Sequence, residues 1–273
     1  MDQSRPSGEH SGQIANDIPL HTSGSSWWTA EQPLPPSLQP RNGIDILSEC
    51  EESSKSKRGG RKEVSKDIYI LYMDYSQTVI AARYDSQDPA EVHLEQRHEP
   101  PPPRMRQDQL EAAWQRFGAK IADAAAQVGN SKKSAPLGDE TPAGLPLALI
   151  KAQPNALLPV GTRAYGALVY ANLANASTMQ YDEIRRGDIL TLRNAKFEGH
   201  HGAMKTKYRA DYGASHVVVV EEWDGTRRSV RGWEQGREKK GGVRSEKLRL
   251  GDLRSGECRV WRVVGREWVG WDS

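Results

Sequence analysis

The spacing of apolar and polar residues along the chain changes near residue 66. Residues 1–65 are dominated by Ser, Gly, Pro, Gln, Asn and Asp, and no apolar period within them lasts for two helical turns. A segment of this kind cannot bury enough apolar area to offset the cost of ordering its backbone. The pattern therefore predicts a disordered tail over residues 1–65, followed by one folded domain over residues 66–273.

The predicted domain opens with β-rich sequence. Residues 68–73 and 78–84 are apolar runs on either side of a short polar turn, an arrangement that is typical of a β-hairpin. Residues 91–95 alternate between polar and apolar side chains and could add a third strand.

Three later segments favour helices or turns. Apolar side chains recur every three or four residues from Leu110 to Val128, which predicts an amphipathic helix there. Residues 162–176 are apolar on more than one side, which is typical of a buried helix. Residues 145–151 predict a short apolar helix or turn.

Short β-rich runs follow the second predicted long helix, at residues 188–192, 216–220, 228–234 and 258–264. The run at 216–220 is nearly all β-branched, so we expect it to be central in a sheet. The combination predicts an α+β fold in which a buried helix packs on an antiparallel sheet, preceded by a β-hairpin and a helix.

A proline run at residues 100–103 separates the predicted hairpin from the predicted helix. Arg97, Pro100 and Pro103 fit the R-x-x-P-x-x-P pattern of polyproline ligands for a Src-homology-3 (SH3) domain. The pattern is short, and a rigid connector between strand and helix is the favoured interpretation.

Composition and charge exclude several classes of protein. The 38 Lys and Arg residues nearly balance the 36 Asp and Glu residues, which leaves a net charge of +2. A chain with so small a net charge does not have the strong positive electrostatic potential that is typical of a dedicated nucleic-acid binder. Two cysteines exclude a disulfide scaffold and a four-cysteine zinc module. No apolar run approaches the ~18 residues of a membrane helix, and no secretory signal is recognisable. We therefore expect a cytoplasmic protein with no membrane span, no cofactor and no nucleic-acid partner.

A metal site could be imagined from His200, His201 and His216. Adjacent histidines point apart on most backbones, and no cysteine or acidic ligand lies at a helpful spacing. No metal site is therefore predicted.

Four short motifs follow one another in the second half of the chain: Gly166–Val169, Gly187–Leu190, Ser215–Val220 and Trp233–Gln235. Their order resembles that of the papain-like thiol hydrolases of the NlpC and CHAP type. In those families a cysteine at the start of a buried helix is the nucleophile, a histidine heading a strand is the base, and a polar residue on the next strand orients the histidine.

The resemblance places Tyr165 at the nucleophile position (or Ala164, if the alignment shifts by one residue), His216 at the base position and Glu234 at the orienting position. Tyr165 is then expected at the start of a helix, facing His216. A phenol with an ordinary pKa of about 10 is a poor substitute for an activated thiolate. The resemblance therefore implies three degenerate active-site positions in a non-catalytic domain. The alternative is a residual thiol-hydrolase-like enzyme, or a ligand-binding cleft that uses His216.

Longer and more specific stretches extend from residue 67 to residue 271. They are Ile68–Ser76, Leu94–Pro100, Trp114–Gly118, Leu158–Asn172, Gly251–Gly256 and Val260–Gly265. They resemble the C-terminal, cysteine-proteinase-like domain of fungal myosin tail region-interacting proteins of the cortical actin patch. The resemblance implies a protein-interaction module in actin-patch assembly and endocytosis, located at cortical patches. It implies partners in the actin-patch machinery, such as type I myosin or its regulators, although family members make the myosin contact through parts that are absent from this sequence.

Overall fold

The computed structural model describes residues 17–21, 24–57, 59–131, 135–201, 206–236 and 242–271. The chain divides into two compact units, an N-terminal unit (Met1–Pro102) and a C-terminal unit (Pro103–Ser273). Each unit contains its own antiparallel sheet. None of the helices in these described residues is long and apolar enough to cross a membrane.

The N-terminal unit is a meander of four antiparallel strands that pair in chain order. The strands are β1 (Ile46–Ser56), β2 (Lys62–Tyr72), β3 (Gln77–Asp85) and β4 (Asp88–Glu99). The predicted hairpin corresponds to β2 and β3, and the possible third strand lies within β4.

The prediction of a disordered tail over residues 1–65 is wrong for the described residues in that range. β1 pairs with β2 along its whole length, from Ile46 opposite Tyr72 to Ser56 opposite Lys62. Residues 17–21 and 24–41 have little regular structure, yet apolar side chains among them are buried against one face of the sheet. These side chains are Ile18, Leu20, Trp27, Trp28, Leu34 and Leu38. Residues 1–16 lie outside the described residues.

An irregular segment shows no hydrophobic period even when it is packed, and this explains the error. The indole N–H of Trp27 donates to the carbonyl of Leu20, and that of Trp28 donates to the carbonyl of Pro89, both at 2.9 Å. These bonds and the burial of two indole rings offset the ordering cost of the segment. The predicted domain boundary at residue 66 is also wrong, because it would fall inside β2.

The C-terminal unit begins with a long helical segment. It consists of α1 (Gln107–Ala113), a π-helical turn (Trp114–Gly118) and α2 (Ala119–Gly129), and it matches the predicted amphipathic helix. A second helix, α3 (Gly144–Lys151), is found where a short helix or turn was predicted.

Eight antiparallel strands form the sheet of the C-terminal unit. In chain order they are β5 (Ala167–Leu173), β6 (Ser177–Gln180), β7 (Ile189–His201), β8 (Thr206–Asp211), β9 (His216–Asp224), β10 (Ser229–Glu234), β11 (Arg244–Arg249) and β12 (Leu253–Arg262). Their spatial order is β11–β10–β9–β7–β12–β5–β6, with β8 also paired to β7. The helices α2 and α3 both lie against β9. The α+β class, with helices packed on an antiparallel sheet, is therefore confirmed.

The predicted buried helix over residues 162–176 is wrong. This segment contains a turn and then β5, which pairs with β12 on one side and β6 on the other. A strand that is buried on both faces has the same continuous apolar pattern as a buried helix, so periodicity cannot separate the two.

Candidate functional site

Two neighbouring strands bring the predicted base and orienting residues together. His216 is the first residue of β9 and is only 2% exposed. Glu234 is the last residue of β10, and its Oε2 lies 2.6 Å from Nε2 of His216. The other carboxylate oxygen of Glu234 accepts a hydrogen bond of 2.9 Å from Nε of Arg244 on β11. Three adjacent strands thus contribute an imidazole, a carboxylate and a guanidinium to one chain of contacts.

Both neighbours of Glu234 hold its carboxyl group in the charged form. Burial acts to raise the pKa of this group because it disfavours charge. The hydrogen bonds and charges of His216 and Arg244 outweigh burial, so the pKa of Glu234 lies below its ordinary value. An ionised carboxylate can only accept hydrogen bonds, so Nε2 of His216 must carry the hydrogen that lies between them.

An aromatic ring restricts the imidazole from a second direction. The centroid of the Tyr212 ring lies 5.3 Å from that of the His216 ring, with the two planes tilted by 43°. The Tyr212 hydroxyl donates a 2.8 Å hydrogen bond to Oε1 of Glu246 on β11, which fixes the phenol in place. The contacts of His216 therefore serve to immobilise it.

The residue after Glu234 connects the sheet to the loop that precedes α3. The Gln235 side chain donates from Nε2 to the carbonyls of Leu137 (2.7 Å) and Thr141 (2.8 Å), and its Oε1 accepts from the Leu137 amide (2.8 Å). Gln235 is almost fully buried. Three hydrogen bonds from one side chain thus hold residues 137–141 against the end of β10.

The start of α3 lies directly beside Gln235. A Cβ atom on Gly144, the first residue of α3, would be 2.8 Å from Nε2 of Gln235 and also 2.8 Å from the backbone carbonyl oxygen of Leu137, which is too close for any residue but glycine. The helix that begins near the His216–Glu234 pair is therefore α3. Its first turn and the two residues before it, Pro142 and Ala143, carry no thiol or hydroxyl group.

The structure does not place Tyr165 as the sequence predicts. Tyr165 lies in the segment before β5, next to the bridge between Val160 and Ala164, and not at the start of a helix. It is 1% exposed, and its hydroxyl has no hydrogen-bond partner among the described residues. Burial, and to a smaller extent the negative charge of Asp139, raise the pKa of the Tyr165 phenol. No described contact joins it to His216.

A charged group with five side-chain hydrogen bonds in the C-terminal unit was not predicted as a site. Arg262, at the end of β12, is fully buried between Asp188 and Asp182. Its Nε and Nη2 donate to the two carboxylate oxygens of Asp188 at 3.0 and 2.9 Å, and its Nη1 donates to Asp182. Further bonds reach the carbonyls of Glu183 (2.9 Å) and Leu110 (3.4 Å).

All five N–H groups of the Arg262 guanidinium are therefore used. Burial alone acts to lower the pKa of this guanidinium, but the bonds and charges of Asp188 and Asp182 raise it above its ordinary value. The cluster ties α1, residues 182–188 and β12 together. The sequence does contain a sign of a buried charge, because Arg262 interrupts an apolar strand. Its acidic partners could not be identified from the sequence, because they lie about 75 residues earlier in the chain.

The Gly-Asp motif of the sequence has a structural role in this cluster. Gly187 has a positive φ of 84°, and a Cβ atom there would lie 1.8 Å from the Gly118 carbonyl oxygen in the π-helical turn. Glycine therefore lets residues 182–188 approach the helix. Asp188 can then reach Arg262 from the head of β7.

The two cysteines lie on different sheets. Cys258 is on β12 and pairs with Leu192 on β7, which in turn pairs with His216, whereas Cys50 is on β1 of the N-terminal unit. Cys258 is fully buried on β12, where burial raises the pKa of its thiol to about 12. Cys50 is half-buried on β1 of the N-terminal unit, and burial also raises the pKa of its thiol. Neither thiol has the lowered pKa of an activated nucleophile.

Other types of site were sought in the same residues. In the described part of the chain, no group of three or more His, Cys, Asp or Glu side chains is arranged to hold a metal ion. The side chain of His201 is outside the described residues. A cavity of about 360 Å³ lies in the C-terminal unit, lined in part by Tyr170, Glu183, Trp223 and Arg228. None of the three predicted site residues lines it.

Comparisons with known proteins agree with this architecture. Residues 95–273 match the AIM3/BBC1 cysteine proteinase-fold domain. The chain is 31% identical over 247 residues to the SH3 domain-containing protein C23A1.17 of Schizosaccharomyces pombe. That alignment covers 90% of this chain but only 15% of the relative, so the chain spans a small part of that protein's length. No solved structure matches the chain.

The expected resemblance to a fungal cysteine-proteinase-like domain is thereby confirmed at the level of the family. The match begins within β4 and covers the whole of the C-terminal unit, including the His216–Glu234 pair and the Arg262 cluster. The chain belongs to the AIM3/BBC1 family and carries its cysteine proteinase-fold domain.

Proposed function

We propose that this chain is a non-catalytic protein-interaction module associated with cortical actin-patch assembly and endocytosis in fungi. One observation carries the proposal: the buried His216–Glu234 pair stands beside a helix start that has no nucleophilic side chain. A general base works only within hydrogen-bond reach of the group whose proton it takes. The helix start beside Gln235 offers Pro142, Ala143 and Gly144 instead.

The contacts of the pair also support a structural role. His216 is nearly inaccessible, its Nε2 is bound to Glu234, and Tyr212 covers one side of the ring. Such an imidazole fixes the ends of β9, β10 and β11 relative to one another.

The interaction role is supported by the relatives. The S. pombe protein is named for an SH3 domain, a module that binds proline-rich segments of other proteins. By resemblance, the partners of this chain belong to the actin-patch machinery, with type I myosin or its regulators as the first candidates. The proposed place of action is the cytoplasmic side of the cortical actin patch.

A hydrolysis assay tests the non-catalytic part of the proposal. The purified chain and its His216→Ala variant are incubated with a library of peptide and amide substrates, and product is measured by mass spectrometry. We expect the two proteins to release the same background level of product. Turnover that the substitution abolishes in a variant that still folds would establish a residual hydrolase instead.

Imaging in a fungal cell tests the location. The fluorescently tagged chain is expected to coincide with a tagged actin-patch protein and to disperse when actin filaments are depolymerised. The His216→Ala variant should coincide equally well if it remains folded. A uniform distribution of the folded wild-type chain would contradict the actin-patch assignment while leaving the result of the hydrolysis assay intact.

A further inference from the structure

The first strand of the N-terminal unit is an edge of its sheet. Among the described residues, β1 pairs with β2 along one side and with no other strand. Residues 51–57 are all exposed. A sheet edge of this kind presents backbone N–H and C=O groups that can pair with a strand of another chain.

The backbone groups that face this edge belong to the even-numbered residues of β1. The amide of Lys57 donates to the carbonyl of Arg61 at 2.8 Å, at the turn that joins β1 to β2. Hydrogen-bonded positions alternate along an antiparallel pair, so the odd-numbered residues of β1 all face β2. The carbonyl of Ile46 faces the other way and accepts a 3.0 Å bond from the Gly43 amide. The even positions from 48 to 56 therefore offer their N–H and C=O groups to a further strand.

The side chains on one face of β1 divide into an acidic half and a basic half. Side chains two residues apart share a face of a strand. The odd-numbered positions carry, in order, Glu49, Glu51, Ser53, Lys55 and Lys57. An antiparallel copy of this strand, centred on Ser53, sets Glu51 opposite Lys55. It also sets Glu49 opposite Lys57, and two-fold symmetry forms each of these pairs twice.

The acidic half of the strand has an unfavourable neighbour within its own sheet. Glu51 lies directly opposite Asp67 on β2, where like charges are destabilising. The Lys55 side chain makes no hydrogen bond or ion pair with any residue that the structure describes, because Glu63 opposite it is paired with Lys57 at 3.1 Å. A Lys55 side chain from a second copy would therefore offset the repulsion between Glu51 and Asp67.

We propose that the chain forms a homodimer by antiparallel pairing of β1 with β1 of a second copy, with Ser53 at the two-fold axis. The two four-stranded sheets then form one sheet of eight strands. The surface belongs wholly to the N-terminal unit, so the inference does not depend on the function proposed for the cysteine proteinase-fold domain.

Charge and backbone orientation together select this register. Even positions must meet even positions, because both members of a hydrogen-bonded pair need outward-facing groups. A centre one residue earlier would set Glu52 opposite its own copy, which is repulsive. A centre one residue later would leave Glu51 opposite Lys57 as the only glutamate–lysine pair.

Charged residues on an edge strand usually prevent pairing with other strands. Here the two halves of β1 have opposite charge, so the antiparallel copy meets attraction where most other strands would meet repulsion. The backbone hydrogen bonds supply most of the affinity, because exposed ion pairs contribute little. The charges instead select the partner and the register.

Sedimentation equilibrium of the full chain measures the dissociation constant of the dimer. Lys55→Glu sets like charges opposite each other at two places and should weaken the dimer by about tenfold or more, as should Glu51→Lys. The combined variant Glu51→Lys/Lys55→Glu restores opposite charges and should bind within about threefold of the wild type. Lys120→Glu, at an exposed residue of α2, makes the same change in net charge and should alter the dissociation constant by less than about twofold.

Disulfide cross-linking tests the register. In a Cys50→Ser background, Ser53→Cys sets two cysteines opposite each other at a non-hydrogen-bonded pair, where a Cα separation of about 4.5 Å suits a disulfide. Mild oxidation should link the two chains. Ser56→Cys is the matched control, because residue 56 of each copy lies opposite residue 50 of the other. About 20 Å of strand then separates the two thiols, and no link should form.

Three results would overturn the proposal. One is that the folded wild-type chain remains a monomer at every concentration measured. The second is a dimer that Lys55→Glu leaves unchanged or that the combined variant does not restore, because its interface would lie elsewhere. The third is a Ser53→Cys chain that links no faster than the Ser56→Cys control. Circular dichroism of each variant checks that these exposed substitutions leave the fold unchanged.

Discussion

At the scale of the residue, the ionised Glu234 makes folding sensitive to acid. A carboxyl group whose pKa is lowered by folding stabilises the protein above its unfolded pKa, and this contribution disappears as the pH falls through the folded pKa. The pKa of Glu234 is lowered from an ordinary value of 4.5, so its contribution is complete at neutral pH and is lost below that value.

Glu234→Gln should therefore reduce stability at neutral pH and flatten the acid side of the stability curve. The measurement is the free energy of urea unfolding at a series of pH values. Glu222→Gln, at a 61% exposed side chain on β9, is the control and should leave the curve unchanged. A Glu234→Gln curve parallel to that of the wild type would show that the carboxylate is not coupled to His216 and Arg244.

Tyr165 provides a second test at the same scale. Its buried hydroxyl has no described partner, and an unsatisfied polar group costs about 1–3 kcal/mol. Tyr165→Phe should therefore leave the free energy of unfolding unchanged or raise it. Tyr208→Phe, which removes a hydroxyl bonded to Asp252 at 2.7 Å, should instead lower it by about 1 kcal/mol. Destabilisation by Tyr165→Phe would mean that its hydroxyl has a partner.

The cysteines are expected to react at different rates. Cys258 is fully buried with its thiol pKa raised to about 12, whereas Cys50 is only partly buried. A thiol reagent at neutral pH should label Cys50 in the folded chain and reach Cys258 only after unfolding. Mass spectrometry of labelled peptides measures both. Fast labelling of Cys258 in the folded chain would reopen the possibility of an active thiol.

At the scale of the element, the Arg262 cluster joins α1, residues 182–188 and β12. Arg262→Ala would leave Asp182 and Asp188 buried without a positive partner, and removing one member of such a cluster costs about 3–5 kcal/mol. Arg259→Ala on the same strand breaks a partly exposed pair with Glu257 and should cost about 1 kcal/mol or less. Chemical denaturation of both variants gives the comparison, and equal losses would refute the role of the cluster.

At the scale of the whole molecule, every strand pair among the described residues lies within one unit or the other. The C-terminal unit has its own sheet, helices and buried cluster, so residues 103–273 should fold alone. We expect this fragment to unfold cooperatively, with a near-ultraviolet circular dichroism signal from its packed tryptophans. A fragment without that signal would show that the C-terminal unit requires residues 1–102.

The sequence alone determined the features that depend on local pattern. The period of three and four residues placed the helix that ends at Gly129, and the β-branched run at 216–220 placed a central strand. The order of the motifs was sufficient to predict that His216 and Glu234 lie close together, because the family resemblance places them at the ends of neighbouring strands. These features follow from neighbouring residues or from motif order, which the sequence contains.

Only the tertiary structure decided the rest. The apolar pattern of residues 167–173 fits a buried helix as well as a buried strand. The segment forms a strand because it pairs with β12 on one side and β6 on the other. The irregular segments over residues 17–21 and 24–41 are ordered by a sheet face formed later in the chain. Arg262 meets Asp182 and Asp188 across about 75 residues, and α3 rather than the Tyr165 segment begins beside Gln235. Such contacts join residues that are far apart in the chain, so the local spacing of apolar residues does not predict them.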